Sequence, residues 1–227
     1  MEESFRVNGI DVAGLCADML NAMTEGRSKS VPVVVLAGAR GGEGKSFFPK
    51  ALFSISGVEL VFKSPVKGGF PLVDLPGAKV VFLDEYRFNE EVLPLATQCL
   101  WMDGSAVTIN RAQNIKGQKG HYTYEGTAPI FATTKAADLA RLAALAADDP
   151  RTGVPWSGEA SMIYRRLKIH WFPARIPKPP PKVPFCGHCF AYMTLNGQFP
   201  PIVSPASAPA GVTPLFGTPT PCGGVWV

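Results

Sequence analysis

The chain has 227 residues, of which 46% are hydrophobic, enough for one domain of ordinary size with a packed core. No apolar run approaches the roughly 20 residues of a membrane span, and the acidic start Met1-Glu2-Glu3 is unlike a secretory signal. The five cysteines are an odd number and do not indicate a disulfide framework, so we expect a soluble, intracellular protein in a reducing compartment.

The formal net charge of +4 is unevenly distributed along the sequence. All 18 acidic residues precede residue 160, whereas basic residues continue from Arg165 to Lys182. The positive excess therefore belongs to one short segment. This segment is compatible with phosphate contacts to a nucleic acid, and equally with a solvated basic linker.

The N-terminal part predicts a helix followed by a buried strand. Apolar residues at near-helical spacing over residues 10–23 indicate a short amphipathic helix that ends near Gly26. The β-branched run from Val31 to Leu36, interrupted only by Pro32, is typical of a strand buried on both faces. This strand leads directly into a glycine-rich stretch.

The glycine-rich stretch, residues 38–46, has the pattern of a phosphate-binding loop, with Ala39 at the position of the usual first glycine. Its glycines allow backbone N–H groups to turn toward a polyphosphate, while Lys45 adds a positive charge and Ser46 can ligate Mg²⁺. A plain glycine-rich turn is the alternative. The residues predicted to bind ATP are Gly38, Ala39, Gly41, Gly42, Gly44, Lys45 and Ser46.

An apolar run from Lys79 to Leu83 predicts a strand that ends in Asp84 and Glu85. Ligands of open α/β sheets bind at the carboxyl ends of the strands, so we expect Asp84 beside the glycine-rich loop, where it would hold Mg²⁺. Glu85 would orient and deprotonate an attacking water. Alternatively, the two carboxylates only begin a solvated loop.

Further elements are predicted from hydrophobic periodicity and turn signals. The predicted helices are residues 44–55, 90–101 and 136–147, and the predicted strands are residues 58–62, 106–109, 121–124, 127–135 and 167–172. The strands 106–109 and 121–124 form a hairpin around a basic tip. Its residues Lys116, Lys119 and His121 suit the phosphates of a nucleic acid, or else are a solvated hairpin end.

The composition changes after residue 173, because prolines become frequent and charged residues cease after Lys182. Proline-rich chains of this kind stay extended or disordered. Cys186 and Cys189 resemble half of a zinc-binding motif, but the sequence offers no second pair at workable spacing, so zinc is only weakly indicated.

With these features in this order, residues 8–175 resemble the superfamily 3 helicases, the AAA+ motor domains of the replication proteins of small DNA viruses. The resemblance implies an α/β fold, namely an AAA+ P-loop NTPase with a central, mostly parallel sheet, flanking helices and a β-hairpin insertion. It divides the chain into an N-terminal helical segment that packs on the ATPase (1–27), the ATPase domain (28–175) and a disordered tail (176–227). The implied location is the nucleus of a host cell.

The resemblance assigns ATP and Mg²⁺ as cofactors. It implies that Lys45 and Ser46 bind them and that Asp84 and Glu85 form the Walker B pair. The family's sensor strand usually ends in Asn, but Lys135 stands here. A lysine cannot accept a hydrogen bond, although it can contact the γ-phosphate as a cation.

The resemblance also implies macromolecular partners. Lys116, Lys119 and His121 match the hairpin that grips single-stranded DNA inside a ring of identical subunits, a hexamer in the family. Arg166, or the neighbouring Arg165, resembles the arginine finger that reaches the ATP of the next subunit.

Three other functions compete with a DNA helicase. An ATP-binding module without unwinding activity is suggested by Lys135 and by the lack of an origin-nicking nuclease motif in this sequence. A small-molecule kinase would use the same phosphate loop. A purely structural interaction protein would bind no nucleotide.

Overall fold

The structure is a computed structural model and describes residues 2–46, 61–63, 72–110, 120–176 and 187–198. It contains seven strands in these ranges: β1 Val33–Gly38, β2 Val61–Lys63, β3 Val80–Leu83, β4 Val107–Asn110, β5 His121–Tyr124, β6 Ile130–Lys135 and β7 Leu167–Phe172. Five of them form a sheet in the order β2-β3-β6-β1-β7, in which every neighbouring pair is parallel. The α/β class with a mostly parallel central sheet is therefore confirmed.

Helices cover both faces of this sheet. In the described residues they are α1 Glu2–Asn8, α2 Val12–Glu25, α3 Leu95–Met102, α4 Ala136–Ala146, α5 Gly158–Arg165 and α6 Gly187–Asn196. No helix in these ranges is both long and apolar enough to cross a membrane.

Alternate side chains of β1 point to opposite faces of the sheet and pack against two different groups of helices. Val34 and Leu36 belong to a core shared with α1, α2 and α6, whereas Val33, Val35 and Ala37 belong to a core shared with α3, α4 and α5. All six residues of β1 are buried, as predicted for a strand covered on both faces. Burying an aliphatic side chain of this size contributes roughly 1.5–3 kcal/mol to stability, so the strand that leads into the glycine-rich loop is firmly fixed.

Helix α2 follows its sequence signals, whereas α3 does not. Asp11 caps the start of α2 by accepting a hydrogen bond from the Gly14 N–H, and Gly26 ends it with a φ of 67°. Helix α3 begins at Leu95, later than the predicted residue 90. Pro94 occupies the cap position, and a proline disfavours helical conformation in the residue before it.

The C-terminal segment differs from the disorder predicted for it over residues 187–196. These residues form α6, which packs on α2 and buries Phe190 and Met193 in the core shared with α1 and α2. The apolar side chains of this short stretch provide enough buried surface to order it despite the proline-rich surroundings. Cys186 and most of the tail lie outside the described residues.

The predicted hairpin is confirmed as the antiparallel pair β4 and β5, with Asn110 opposite His121. Its base lies at the amino end of β1, where the guanidinium of Arg27 donates to the carbonyls of Trp101 and Gly126 and lies 5.3 Å from the ring centre of Tyr124. The tip residues 111–119, including Lys116 and Lys119, are outside the described ranges.

Candidate functional site

The sheet topology brings the sequence motifs to one edge. Strand β6 lies between β1 and β3, and the register places Gly38 beside Lys135 and Leu83 beside Ala132. The glycine-rich loop, Lys135 and the two carboxylates that follow β3 therefore extend from the carboxyl ends of neighbouring parallel strands. This edge is where ligands bind in open α/β sheets.

Ser46 and Asp84, predicted separately as metal ligands, meet at this edge. The Ser46 Oγ donates to Asp84 Oδ1 over 3.2 Å, across 38 residues of sequence. Hydroxyl and carboxylate oxygens are both ligands of Mg²⁺, together with water and phosphate oxygens. The two side chains therefore have the chemistry needed to share one divalent cation.

A buried threonine holds the acidic pair in place. Thr133 of β6 is fully buried; its hydroxyl donates to Asp84 Oδ1 over 2.7 Å and accepts from the Glu85 N–H over 2.9 Å. The hydroxyl of its neighbour Thr134 donates to the Tyr86 carbonyl over 2.6 Å. These two hydroxyls fix the turn that carries the carboxylates.

Glu85 itself is exposed and has a φ of 49°. A left-handed conformation in a residue other than glycine costs of order 1–3 kcal/mol and persists where the surroundings impose it. Here the hydrogen bond from the Glu85 N–H to Thr133 and the buried side chain of Tyr86 impose it. The conformation keeps the Glu85 carboxylate in solvent beside Asp84.

The glycine-rich loop closes around its own carboxylate, that of Glu43. Glu43 Oε1 accepts from the N–H groups of Arg40 (2.6 Å) and Gly41 (2.7 Å), and Oε2 accepts from Lys45 Nζ (3.1 Å). Burial alone would raise the pKa of Glu43, but hydrogen bonds from the Gly41, Arg40 and Glu43 N–H groups and from Lys45 lower it to about 2. The side chain is therefore an anion in the cradle of the loop.

The loop backbone depends on glycine and on two distant segments. Gly42 and Gly44 have φ values of 81° and 83°, which residues with a Cβ rarely adopt. Ser4 Oγ and Asn8 Nδ2 of α1 donate to the Glu43 carbonyl over 2.9 and 3.3 Å.

The chain after β7 holds the other side of the loop. The N–H of Ile176 donates to the Gly42 carbonyl over 3.0 Å. Arg175 lies against Gly42, with its Nε 3.2 Å from the position a Cβ there would occupy. Sequence reasoning missed both of these clamping contacts, and it also missed Ser4, Asn8 and the role of Glu43.

Arg166 lies at the opposite end of the sheet. It precedes β7, and its carbonyl accepts from the N–H of Val33 at the start of β1. Its guanidinium donates to Asp103 Oδ2 (3.2 Å) and to the carbonyl and Sγ of Cys99 (3.3 and 3.0 Å). Arg166 is therefore bound to the C-terminal end of α3, while the neighbouring Arg165 is exposed.

The pKa of Asp103 reflects this pairing. Burial alone would raise it, but hydrogen bonds from Ser105 and the charges of Arg166 and Lys29 lower it below its usual value. The ion pair is thus present throughout the neutral range.

Other predicted residues are not part of the loop site. His121 is exposed on the hairpin. His170 of β7 has a partner that is distant in sequence: its Nε2 lies 2.9 Å from Asp18 Oδ2. Burial lowers the pKa of His170, although the charge of Asp18 opposes this shift.

Comparison with known proteins gives a limited result. The sequence matches no protein-family model, and the search of curated proteins found no match. Two similar solved structures are the A form apo structure of the NrS-1 C-terminal region, residues 305–718 (13% identity, TM-score 0.47), and an apo structure of that region (14%, 0.48). Each covers 86% of this chain, which spans only 41% and 42% of those chains. A likeness of this degree is no basis for assigning an activity.

Proposed function

We propose that the chain is an AAA+ P-loop ATPase that binds ATP with Mg²⁺ at residues 38–46 and hydrolyses it. The observation that supports this most directly is the cradle around the Glu43 carboxylate. Two backbone N–H groups and the Lys45 ammonium converge on one anion within 3.1 Å. The same donors suit the oxygens of a polyphosphate, because phosphate and carboxylate are both recognised by convergent N–H groups and cations.

The remaining chemistry is divided among neighbouring side chains. Ser46 and Asp84 would hold Mg²⁺, which neutralises charge on the phosphates when bound. Glu85, exposed beside Asp84, would take a proton from the attacking water. Lys135, beside Gly38 on the next strand, would contact the γ-phosphate as a cation.

We further propose that the ATPase acts as a DNA helicase, in a ring of identical chains on single-stranded DNA. His121 projects from a hairpin outside the central sheet, where a nucleic acid can reach it, and Lys116 and Lys119 belong to the same connection. The arginine that serves a neighbouring subunit would be Arg165 or Arg166. The exposure of Arg165 favours it, because Arg166 is already paired with Asp103.

A second candidate, an ATP-binding module without unwinding activity, is favoured by two features at the end of β6. Lys135 stands where an amide side chain would accept a hydrogen bond from the lytic water, and an ammonium group has no acceptor. In addition, the hydroxyls of Thr133 and Thr134 are engaged by the turn after β3. The chain would then bind the nucleotide without hydrolysing it.

The test is the ATP turnover rate of the purified chain, measured with and without single-stranded DNA across a range of protein concentrations. A helicase motor that shares its sites between subunits predicts stimulation by DNA and a steeper than linear dependence on protein concentration. Binding of MgATP without turnover would support the module, and absence of both binding and turnover would reject both proposals.

A further inference from the structure

The carboxylate of Glu43 lies where the phosphate loop would receive its ligand. Glu43 is 2% exposed although it belongs to a loop whose neighbours Arg40, Gly41 and Gly42 are exposed. Its two oxygens engage the Arg40 and Gly41 N–H groups and Lys45 Nζ at 2.6, 2.7 and 3.1 Å.

These contacts exclude a phosphate from the same position. An N–H directed at a carboxylate oxygen at 2.6 or 2.7 Å has no remaining capacity for a second strong acceptor along the same line. A polyphosphate placed beside the carboxylate would also bring like charges together in a partly buried space. The nucleotide and the Glu43 side chain must therefore compete for these donors.

We infer that Glu43 is an internal competitor that occupies the nucleotide site in the free protein and is displaced by the phosphates of the bound nucleotide. This inference rests on the function proposed above and specifies how the affinity of that site is set. It makes Glu43 a residue that determines affinity, in addition to the residues that contact the phosphates.

The backbone around Glu43 allows this exchange to be local. Its carbonyl is held by Ser4 and Asn8 of α1, and the preceding Gly42 carbonyl is held by the N–H of Ile176. None of these bonds involves the Glu43 carboxylate. The side chain can therefore leave by rotation about its own bonds while the loop keeps the conformation that its glycines impose.

The expected size of the effect follows from the fraction of molecules whose loop is free. Apparent affinity falls in proportion to that fraction, so a loop that is free in one molecule of ten binds about tenfold more weakly than a permanently free one. Removing the charge of Glu43 should therefore tighten MgATP binding at least tenfold, where tenfold corresponds to about 1.4 kcal/mol.

The experiment is a titration of MgATP into the full chain and into the variants Glu43→Gln and Glu43→Ala, with heat or the fluorescence of a labelled nucleotide as the signal. Glu25→Gln is the matched control, because it removes one exposed carboxylate at the end of α2, beside the amino end of β1. It separates a local effect from a change in net charge. Far-ultraviolet circular dichroism checks that each variant is folded.

Tighter binding by both Glu43 variants, with Glu25→Gln equal to the unchanged chain, supports the inference. Binding that is unchanged or weakened in folded Glu43 variants overturns it, while MgATP binding by the unchanged chain leaves the ATP-binding proposal intact. If the unchanged chain and every variant fail to bind MgATP, the proposed function falls, and the inference with it.

A measurement on the unchanged chain does not depend on the folding of any variant. With carbon-13 in the glutamate carboxyl groups, the Glu43 resonance should move when MgADP is added, because the carboxylate exchanges its N–H and ammonium donors for water. A resonance that stays in place while MgADP binds would show that the carboxylate remains in the loop and would overturn the inference.

Discussion

The two ends of the central sheet each carry a cation paired with a carboxylate, and the pairs differ in what connects them. At the carboxyl end, Lys45 and Glu43 are two residues apart on one loop. At the amino end, Arg166 and Asp103 are 63 residues apart and join the start of β7 to the end of α3. The first pair lies within one element, whereas the second holds two elements together.

This difference distinguishes an ion pair in a ligand-binding site from an ion pair that stabilises the fold. An external anion can replace Glu43 because no packing between elements depends on its carboxylate. Asp103 instead acts together with the carbonyl and Sγ of Cys99, which also accept from Arg166, so several contacts attach the start of β7 to α3. A cation that is conspicuous in sequence can thus be functional or structural, according to whether its partner can be exchanged.

The largest expected effect concerns the chemistry at the carboxyl end. We predict that Glu85→Gln lowers ATP turnover by about 100-fold or more, because an amide cannot take the proton of the attacking water. MgATP affinity should change little, since Asp84, Ser46 and Lys45 remain. Steady-state turnover and equilibrium binding, measured on the same preparation, check this. Unchanged turnover would remove Glu85 from the catalytic role.

The next largest expected effect is a loss of folding stability at acidic pH, caused by protonation of Glu43. Its pKa is about 2 in the folded chain and about 4.5 without its partners, so its contribution is complete above pH 4.5 and is lost as the pH falls toward 2. The contribution is at most about 3 kcal/mol. Urea unfolding between pH 7 and pH 3 should show a shallower loss of stability for Glu43→Gln than for the unchanged chain. Parallel curves would contradict the folded position of the carboxylate.

The smallest effect concerns the amino end. We predict that Arg166→Ala lowers the free energy of unfolding by about 2 kcal/mol, because Asp103 and the Cys99 carbonyl lose their donor in a largely buried place. Arg165→Ala, a matched change at an exposed position, should alter it by less than about 0.5 kcal/mol. Denaturant unfolding of both variants measures this.

Turnover of the same two variants sharpens the assignment of an arginine that acts between subunits. If Arg165→Ala lowers turnover while stability is kept, Arg165 is the residue that serves the neighbouring chain. If Arg166→Ala lowers turnover without a loss of stability, the structural role assigned to the Arg166–Asp103 pair is wrong and Arg166 is the residue that acts between subunits.

The sequence predicted those features that follow from local pattern. Their apolar patterns predict β1 and the strand before Asp84 as buried strands, and the glycine-rich stretch between them predicts a loop. Because both strands end at the same edge of the parallel sheet, Ser46 and Asp84 come into contact. These predictions succeed because they need only the alternation of side chains along a strand and the common edge at which parallel strands end.

Contacts between distant residues carried no such signal. The sequence of a glycine-rich loop is the same whether its glutamate points to solvent or, as Glu43 does, toward the loop N–H groups and Lys45. The donors that fix its backbone come from Ser4 and Asn8, 39 and 35 residues away. The resemblance pointed to Arg166 or Arg165 as an arginine finger, whereas the pairing of Arg166 with Asp103 could not be read from local sequence. Helix α3 begins later than predicted because Pro94 disfavours helical conformation in the residue before it.

The most direct test of the central claim, that residues 38–46 form a nucleotide site, is calorimetric titration of MgATP into the unchanged chain and into Lys45→Ala. We predict one site per chain, with affinity at least about 100-fold weaker in the variant because the ammonium that faces the anion is gone. Equal affinity of the two proteins, or no binding to the unchanged chain, would contradict it.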